Sequence, residues 1–301
     1  MHVTLFFFFL TWFFISSSVC AVELSVDRVA DITAETMADK GAGKTEAISK
    51  QNDTEQKTQW VVGIGLGVFD YHLYPGAKES KRWVLPVPYF TYRSPGFEID
   101  RGIKSFLYNS KTIVIDISAD FVLPVDSDDT RARLGMPDLD LSLQLGPSVE
   151  FLLNDKASNY FDVRFEIPLR GAYAIGSRNV EQIGYLIEPR ISFNHRRSGK
   201  TGFSQKGTIG LKFATRDYHA YYYDVAEEFS TAARSAFESD AGFGGSFAKY
   251  RISYKTSDFV YWGFIRLQSL RSAVFENSPL VVQKDYYFVG VGFSWIFAQS
   301  L

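Results

Sequence analysis

Cysteine, methionine and histidine are scarce in this sequence, and the shortages of cysteine and histidine limit the chemistry that it can perform. The chain has one cysteine, three methionines and four histidines in 301 residues. Because Cys20 falls in an apolar leader, the rest of the chain has no disulfide framework and no cysteine for metal or nucleophilic chemistry. His72, His195 and His219 are far apart in the predicted layout, which indicates no metal cluster. The sequence contains no phosphate-binding loop, Cys-x-x-Cys pair or G-x-S-x-G elbow.

A charge of one sign and long apolar runs are also missing. The formal net charge is −2 at pH 7, so no overall field directs the chain to nucleic acid. After the leader, no apolar run is long enough for a membrane-spanning helix. We therefore expect no nucleic-acid partner, no cofactor and no helical membrane domain.

The N-terminus has the features of an export signal. Leu5 to Ile15 is an apolar block of signal-peptide length that is too short to span a bilayer. Val19 and Ala21 fit the small-residue cleavage pattern, so we predict a cleaved signal peptide over residues 1–21. Lipidation of Cys20 is the alternative. Residues 22–59 are polar, mixed in charge and free of aromatics, which predicts a flexible periplasmic segment before a barrel domain over 60–301.

From Trp60 onward, apolar and polar residues alternate with a period of two, as in β-strands. Two folds give this pattern: a soluble sandwich, whose apolar face is the core, and a transmembrane barrel, whose apolar face contacts lipid. Several alternating runs exceed ten residues. A soluble strand usually has about five or six residues, whereas a membrane-spanning strand needs about nine to eleven. Together with an aromatic content of 16%, this favours the barrel.

The predicted fold is therefore all-β, an antiparallel up-and-down transmembrane barrel of about twelve strands, with ten as the alternative. Outer-membrane barrels alternate short periplasmic turns with longer external loops. The sequence fits this alternation only if 96–108 is a hairpin that turns at Gly102. The strands are placed near 60–69, 84–93, 96–101, 103–108, 111–121, 139–153, 159–171, 182–196, 204–217, 243–256, 258–269 and 286–297. Long loops are expected near 70–83, 122–138, 172–181, 218–242 and 270–285, with a short helix over 226–237.

In this register, many charged side chains face the barrel interior. One interpretation is an ion-selective pore or a ligand-binding lumen; the other is a lattice of mutually compensating salt bridges. Acids predominate in the earlier strands and bases in the later ones, so we expect the two groups to face each other across the lumen. The predicted lumen charges are Asp116, Asp120, Asp140, Glu150, Asp162, Arg164, Glu166, Arg170, Glu188, Arg190, Lys212, Lys249, Arg251, Lys255 and Arg266.

Five short motifs, taken in order, carry a family resemblance. They are Tyr74-Pro75-Gly76, then Pro86-Val87-Pro88-Tyr89, Leu134-Gly135-Met136-Pro137-Asp138, Tyr221-Tyr222 and Ser278-Pro279-Leu280-Val281. With this order and spacing, the chain resembles the MipA/OmpV family of outer-membrane proteins across Trp60 to Phe297.

The resemblance implies an outer-membrane barrel of a Gram-negative bacterium, in contact with outer-membrane lipid. It also implies a non-catalytic scaffold role, since the name-giving member interacts with a murein transglycosylase and is proposed to link it to a peptidoglycan synthase. Other relatives are described as porin-like proteins or adhesins, so a small-solute channel or an adhesin is the alternative. A lipid hydrolase that pairs His219 with Ser230 or Ser235 is a third, remote hypothesis.

Overall fold

The computed structural model describes residues 59–94, 97–99, 103–105, 108–110, 112–154, 161–195 and 201–300. The expected signal peptide at 1–21, nearly all of the expected polar segment at 22–59 and the expected hairpin turn at Gly102 lie outside these residues. Those expectations stay predictions. Among the described residues, no helix is long and apolar enough to cross a membrane.

Within the described residues, fourteen strand segments and one α-helix form the fold. The strands are β1 (Gln59–His72), β2 (Ser80–Ser94), β3 (Phe97–Ile99), β4 (Ile103–Ser105), β5 (Tyr108–Asn109), β6 (Ile113–Val122), β7 (Leu141–Leu152), β8 (Phe161–Ile175), β9 (Val180–Ile187), β10 (Arg190–His195), β11 (Gly202–Ala214), β12 (Gly242–Lys255), β13 (Phe259–Ser269) and β14 (Asp285–Gln299). The helix α1 spans Arg216–Tyr223, between β11 and β12.

The strands form one antiparallel sheet that closes on itself. Its order is β4-β3-β2-β1-β14-β13-β12-β11-β10-β8-β7-β6-β5, with β9 paired to both β8 and β11. The first and last strands of the chain pair directly, from Val61 with Gln299 to Tyr71 with Phe288. Because β4 also lies beside β6, the two ends of the order meet. The predicted antiparallel transmembrane barrel is confirmed.

One strand of the barrel is interrupted. β9 and β10 both lie between β8 and β11, and Glu188 and Pro189 separate them. Proline has no backbone N–H for the ladder. The neighbouring strands still bond to this point, because the Glu188 N–H donates to the Pro168 carbonyl at 3.2 Å and the Leu211 N–H donates to the Pro189 carbonyl at 3.1 Å. The total of twelve strands stays a prediction.

The alternation in the sequence corresponds to an outer apolar face and an inner polar face. In β14, Tyr287, Phe293 and Trp295 are exposed on the outside, whereas Gly290 and Ser294 are buried. Large apolar side chains at the barrel exterior fit contact with lipid hydrocarbon. Charged side chains therefore have to find their partners within the lumen.

Two details of the connections differ from the prediction. The long loop expected at 172–181 is a four-residue turn, Gly176 to Asn179, because β8 and β9 extend further than predicted. The helix expected at 226–237 lies instead at Arg216–Tyr223, and a 3₁₀ turn over Glu227–Phe229 occurs in the expected range. The helix forms earlier because its aromatic side chains have a buried site at the end of the barrel that carries the long connections. We call this the long-loop end, and by the architecture of outer-membrane barrels it is the external end.

Candidate functional site: the capped barrel lumen

Four connections at the long-loop end pack together and close the barrel mouth. They are residues 73–79, 123–140, 215–241 and 270–284, and we call them the cap. Their apolar side chains form one buried cluster with small and branched residues of the barrel wall. The buried members are Leu73, Tyr74, Ala77, Val125, Leu139, Tyr218, Tyr222, Tyr223, Leu270, Ala273, Phe275 and Val281 from the cap, and Ala172, Ala174, Ile183 and Leu186 from the wall.

Helix α1 brings aromatic side chains into the lumen. Tyr218 and Tyr222 lie one turn apart on its buried side, and His219 and Tyr223 repeat the same spacing. The Tyr218 hydroxyl accepts a hydrogen bond from the Gln144 side-chain amide at 3.1 Å. Because Gln144 belongs to β7, the helix is bonded to the inner face of the barrel wall as well as to the other loops.

Arg133 joins the second cap loop to the helix. The side chain is 3% exposed, and its guanidinium donates to the Ser127 hydroxyl, the Pro137 carbonyl and the Tyr222 carbonyl at 3.2, 3.0 and 3.1 Å. It also lies over the Tyr74 ring, 5.8 Å from the centroid. Burial lowers the pKa of this guanidinium, but an arginine remains charged in a protein. One buried cation therefore binds three separate parts of the cap.

The first and last cap loops are bonded to each other and to α1. The Tyr74 hydroxyl donates to the Leu280 carbonyl at 2.7 Å. Gly76, at a φ of 108° that favours glycine, places its carbonyl to accept from the backbone of the last loop. The Ser278 hydroxyl donates to the Tyr223 carbonyl at 2.7 Å. The cap is thus one cross-linked unit.

Below the cap, a group of charged side chains crosses the lumen. Asp120 on β6 lies 3.6 Å from Arg170, 3.8 Å from Lys249 and 3.9 Å from Arg266. β6 is not a neighbour of β12 or β13 in the sheet, so the contacts with Lys249 and Arg266 bridge opposite walls. Glu188 completes the group, 2.6 Å from Arg170 and 3.5 Å from Lys212. We call Arg170, Lys212, Lys249 and Arg266, with Asp120 and Glu188, the cationic cluster.

A second charged group lies on the same strands, nearer the opposite end of the barrel. We call this end, where the connections are short, the short-turn end. Arg164 binds Glu150 at 2.5 Å and Asp162 at 2.9 Å. Glu166 accepts from Arg190 at 2.6 Å and from Lys206 at 3.1 Å. The Arg164–Asp162 pair lies within β8, and the other pairs join neighbouring or next-neighbouring strands along the wall. The lumen therefore contains wall pairs towards one end and cross-lumen pairs towards the other.

The remaining predicted lumen charges lie either inside the barrel or at its rim. Asp116 and Lys255 are buried and Arg251 is half-buried, all on inward positions of their strands. Asp140 is exposed, contrary to the prediction that it faces inward. It precedes Leu141, where β7 begins, so the alternation does not apply to it. Its backbone N–H donates to the Tyr221 hydroxyl at 2.8 Å, which places it at the rim of the barrel.

A cavity of about 170 Å³ lies between the cap and the cationic cluster. Aromatic residues of the cap and the wall line it, including Tyr218, Phe247 and Phe275. Lys212 and Arg266 of the cationic cluster also lie in its wall. The cavity is thus apolar on one side and charged on the other.

Comparison with protein-family models decides the family of the chain. The model for "MltA-interacting protein MipA" matches residues 62–297, which include nearly the whole barrel and the cap. The chain belongs to the MipA family. A search of curated proteins gives no match.

Solved structures resemble this MipA-family barrel only weakly. The NanC porin shares 9% identity over 79% of this chain and 98% of its own, with a TM-score of 0.33. The toluene transporter TodX of Pseudomonas putida shares 10% identity over 80% and 89%, with a TM-score of 0.32. A bacterial polysaccharide outer-membrane secretin shares 9% identity over 79% and 98%, with a TM-score of 0.36. Similarity at this level carries no argument about function.

Four of the five motifs that resemble the MipA family lie in the cap. Tyr74-Pro75-Gly76 and Ser278-Pro279 belong to the first and last cap loops, which bond to each other. Gly135, Met136 and Asp138 are in the loop of Arg133, and Asp138 accepts from the Ser127 N–H at 2.8 Å. Tyr221 and Tyr222 belong to α1. The fifth motif is in β2, where Pro86 and Pro88 face outward and Tyr89 faces inward.

Arg133 and Lys206 belong to the site but were not in the predicted set. Arg133 lies one residue before a family-like motif, but nothing local indicates its contact with α1. Lys206 lies in phase with the inward residues Ser204 and Thr208, so a consistent reading of β11 would have identified it.

His219 lacks the contacts that the hydrolase hypothesis requires. Its Nδ1 lies 2.8 Å from the Asp240 carbonyl, and its ring packs 4.7 Å from the Phe275 ring. It is fully buried, whereas Ser230 and Ser235 are exposed and form no hydrogen bond with it. Burial lowers the pKa of this imidazole. In the part of the chain that the structure describes, no group of three potential metal ligands occurs.

Proposed function

We propose that this chain is a non-catalytic, non-conducting barrel of the outer membrane that serves as a scaffold for peptidoglycan-remodelling enzymes. The observation that carries the proposal is the closed lumen. The cap occupies the external mouth, and Asp120 joins opposite walls below it. A barrel closed in this way offers its exposed turns to partners rather than a passage to solutes.

The family description adds the class of partner. It names a protein that interacts with MltA, which on the family resemblance is a murein transglycosylase. Peptidoglycan enzymes act in the periplasm, so the binding surface would lie at the short-turn end and on residues 22–59. A peptidoglycan synthase would be a second partner held by the same surface.

The first experiment measures single-channel conductance of the folded mature protein in a planar bilayer, with heat-modifiable gel mobility as the folding check. We expect a folded barrel with no steady conductance. Steady conductance whose ion selectivity changes when Lys249 and Arg251 are reversed in charge would support the channel alternative instead.

The second experiment measures binding of a soluble murein transglycosylase to the barrel in detergent. The turn Thr256 to Asp258 joins β12 to β13 at the short-turn end, and Asp258 is exposed there. Asp128 is an exposed aspartate in the cap and gives a matched control. We expect Asp258→Arg, or deletion of residues 22–59, to weaken binding at least tenfold, whereas Asp128→Arg leaves it unchanged. Equal affinity in all of these variants would contradict the scaffold proposal.

A further inference from the structure

The cationic cluster contains more positive than negative charge. Its four cations share only two carboxylates, Asp120 and Glu188, which leaves a formal surplus of two positive charges. Among the described residues, no other carboxylate lies within 4.0 Å of these cations. Unpaired charge inside a protein is costly unless a counter-charge or a strong set of hydrogen bonds compensates it.

Two of these cations are poorly bonded by the protein itself. The Lys212 and Lys249 ammonium groups reach carboxylates at 3.5 and 3.8 Å, and neither donates a hydrogen bond to a described residue. An ammonium group has three donors. Both groups therefore retain donors for a partner that the protein does not supply.

The cavity below the cap gives the Lys212 donors an open space, whereas Lys249 does not line it. Lys212, Arg266 and Asp120 all lie in its wall. His219 faces the same space, and its Nε2 is buried without a hydrogen-bond partner in the described structure. Gly244 keeps the space open, because a Cβ there would lie 2.9 Å from that nitrogen and 3.5 Å from Cγ of Lys212.

Aromatic rings reduce the cost of the surplus charge without cancelling it. Lys212 lies 5.7 Å from the centroid of Tyr218, and Lys249 lies 4.9 Å from that of Phe247. Cation–π contacts of this kind stabilise a cation, but a ring carries no net charge. The surplus remains after every described partner is counted.

We propose that this cavity is a binding site for a compact anion with two negative charges, a phosphate-like oxyanion or a small dicarboxylate. Lys212 and Arg266 would contact the anion directly, and Lys249 would contribute its charge from behind Asp120. The volume of about 170 Å³ suits such a ligand, since cavities near 150 Å³ hold a molecule the size of benzene. The inference concerns the lumen and does not depend on a peptidoglycan partner.

The test is isothermal titration of the full mature barrel in detergent, with inorganic phosphate and succinate as probes in chloride buffer of constant ionic strength. We expect saturable binding of one anion per chain. Lys212→Gln and Arg266→Gln should each weaken it at least tenfold, and Lys212→Arg should retain most of it. Arg271→Gln is the control, because Arg271 is exposed and pairs with Asp285 outside the cavity.

The substitution Asp120→Asn should change the affinity for the anion in the opposite direction. Asp120 competes with the anion for the same cations, so its neutralisation should tighten binding several-fold. A purely structural lattice would instead lose stability and gain no affinity. Heat-modifiable mobility identifies variants that do not fold. The wild-type barrel alone can overturn the proposal, if neither probe gives saturable heat and neither raises its unfolding temperature above the chloride reference.

Discussion

Arg133 and Tyr222, 89 residues apart in the chain, are joined by a 3.1 Å hydrogen bond from the buried guanidinium to the backbone carbonyl of α1. The helix cannot leave the barrel mouth without breaking this bond. Because the same guanidinium also binds the Pro137 carbonyl and the Ser127 hydroxyl, the second loop and the helix are fixed together. This side chain therefore contributes directly to closure of the external mouth.

Replacement of Arg133 by Met should release the cap. It leaves the Tyr222 carbonyl buried without its donor, whereas the Pro137 carbonyl keeps only the hydrogen bond from the Ser127 hydroxyl, at a cost of about 1–3 kcal/mol. A lysine ammonium cannot reproduce the planar set of donors of a guanidinium, so Arg133→Lys should restore little of the cap stability. We expect transient conductance and faster proteolysis of residues 215–241 in proteoliposomes. Arg131→Met is the control, because Arg131 is exposed in the same loop. Silent, protease-resistant Arg133→Met barrels would show that the cap is held by other contacts.

The stacked pair of Tyr223 and Phe275 should be a second determinant of cap stability. The rings lie 3.7 Å apart with an interplanar angle of 8°, and both are buried. Phe275→Ala removes the stack and leaves a cavity, at a cost of about 3–5 kcal/mol. Hydrogen–deuterium exchange should accelerate in α1 and in residues 270–284. Phe293→Ala, on the outer face, should leave exchange in the cap unchanged; equal effects of the two changes would refute this assignment.

Acidity should loosen the cap through His219. Burial, together with the positive charge of Lys212, lowers the pKa of its imidazole, whereas Asp240 and Asp224 act in the opposite direction. The released cap therefore binds a proton more readily than the closed cap does. Closure is fully stable above the ordinary histidine pKa of about 6.5 and weakens below it, by up to about 1.4 kcal/mol per pH unit.

The measurement for this pH effect is hydrogen–deuterium exchange of α1 at pH 7.5 and at pH 5.0, with correction for the intrinsic exchange rate. His219→Gln removes the titrating group and should flatten the difference between the two conditions. His195, at the other end of the barrel, supplies the control variant His195→Gln. If acid loosens α1 equally in the His219→Gln variant, another group is responsible.

The barrel wall could be predicted from local sequence because each strand residue has only two faces available. The alternation of Tyr287, Phe293 and Trp295 with Gly290 and Ser294 is sufficient to assign the outer and inner sides of β14. Strand ends were less predictable. β8 extends to Ile175 and shortens a predicted loop, since pairing with β9 stabilises residues that local pattern alone assigns to a connection.

The cap could not be predicted in the same way because its contacts are between distant loops. Arg133 contacts Tyr222, and Tyr74 contacts Leu280, which is 206 residues later. No periodicity relates such pairs. The motifs that resemble the MipA family did mark the segments involved, but only the structure shows that they meet. Asp140 shows a different kind of error. Extending the strand alternation to the residue before Leu141 wrongly places this rim carboxylate in the lumen.

Closure of the barrel itself should depend on Gly65. This residue pairs with Ser294 where the first and last strands meet. A Cβ at Gly65 would overlap the backbone oxygen of Phe293, which cannot move without breaking the ladder. We therefore expect Gly65→Ala to reduce the folded fraction severely, as measured by the loss of the heat-modifiable band after refolding into detergent or lipid.

Gly207 provides the matched comparison for this prediction. It also lies within a strand of the barrel, β11, but no atom lies within 4 Å of the position that its Cβ would occupy. Gly207→Ala should therefore fold as the wild type does, or slightly better, because alanine reduces the entropy of the unfolded chain. If both variants lose the folded band equally, replacement of any strand glycine impairs folding, and the close contact at Gly65 is not the specific cause. If neither does, β1 and β14 can separate enough to admit a methyl group, and the tight contact at the closing seam is not required for the barrel to form.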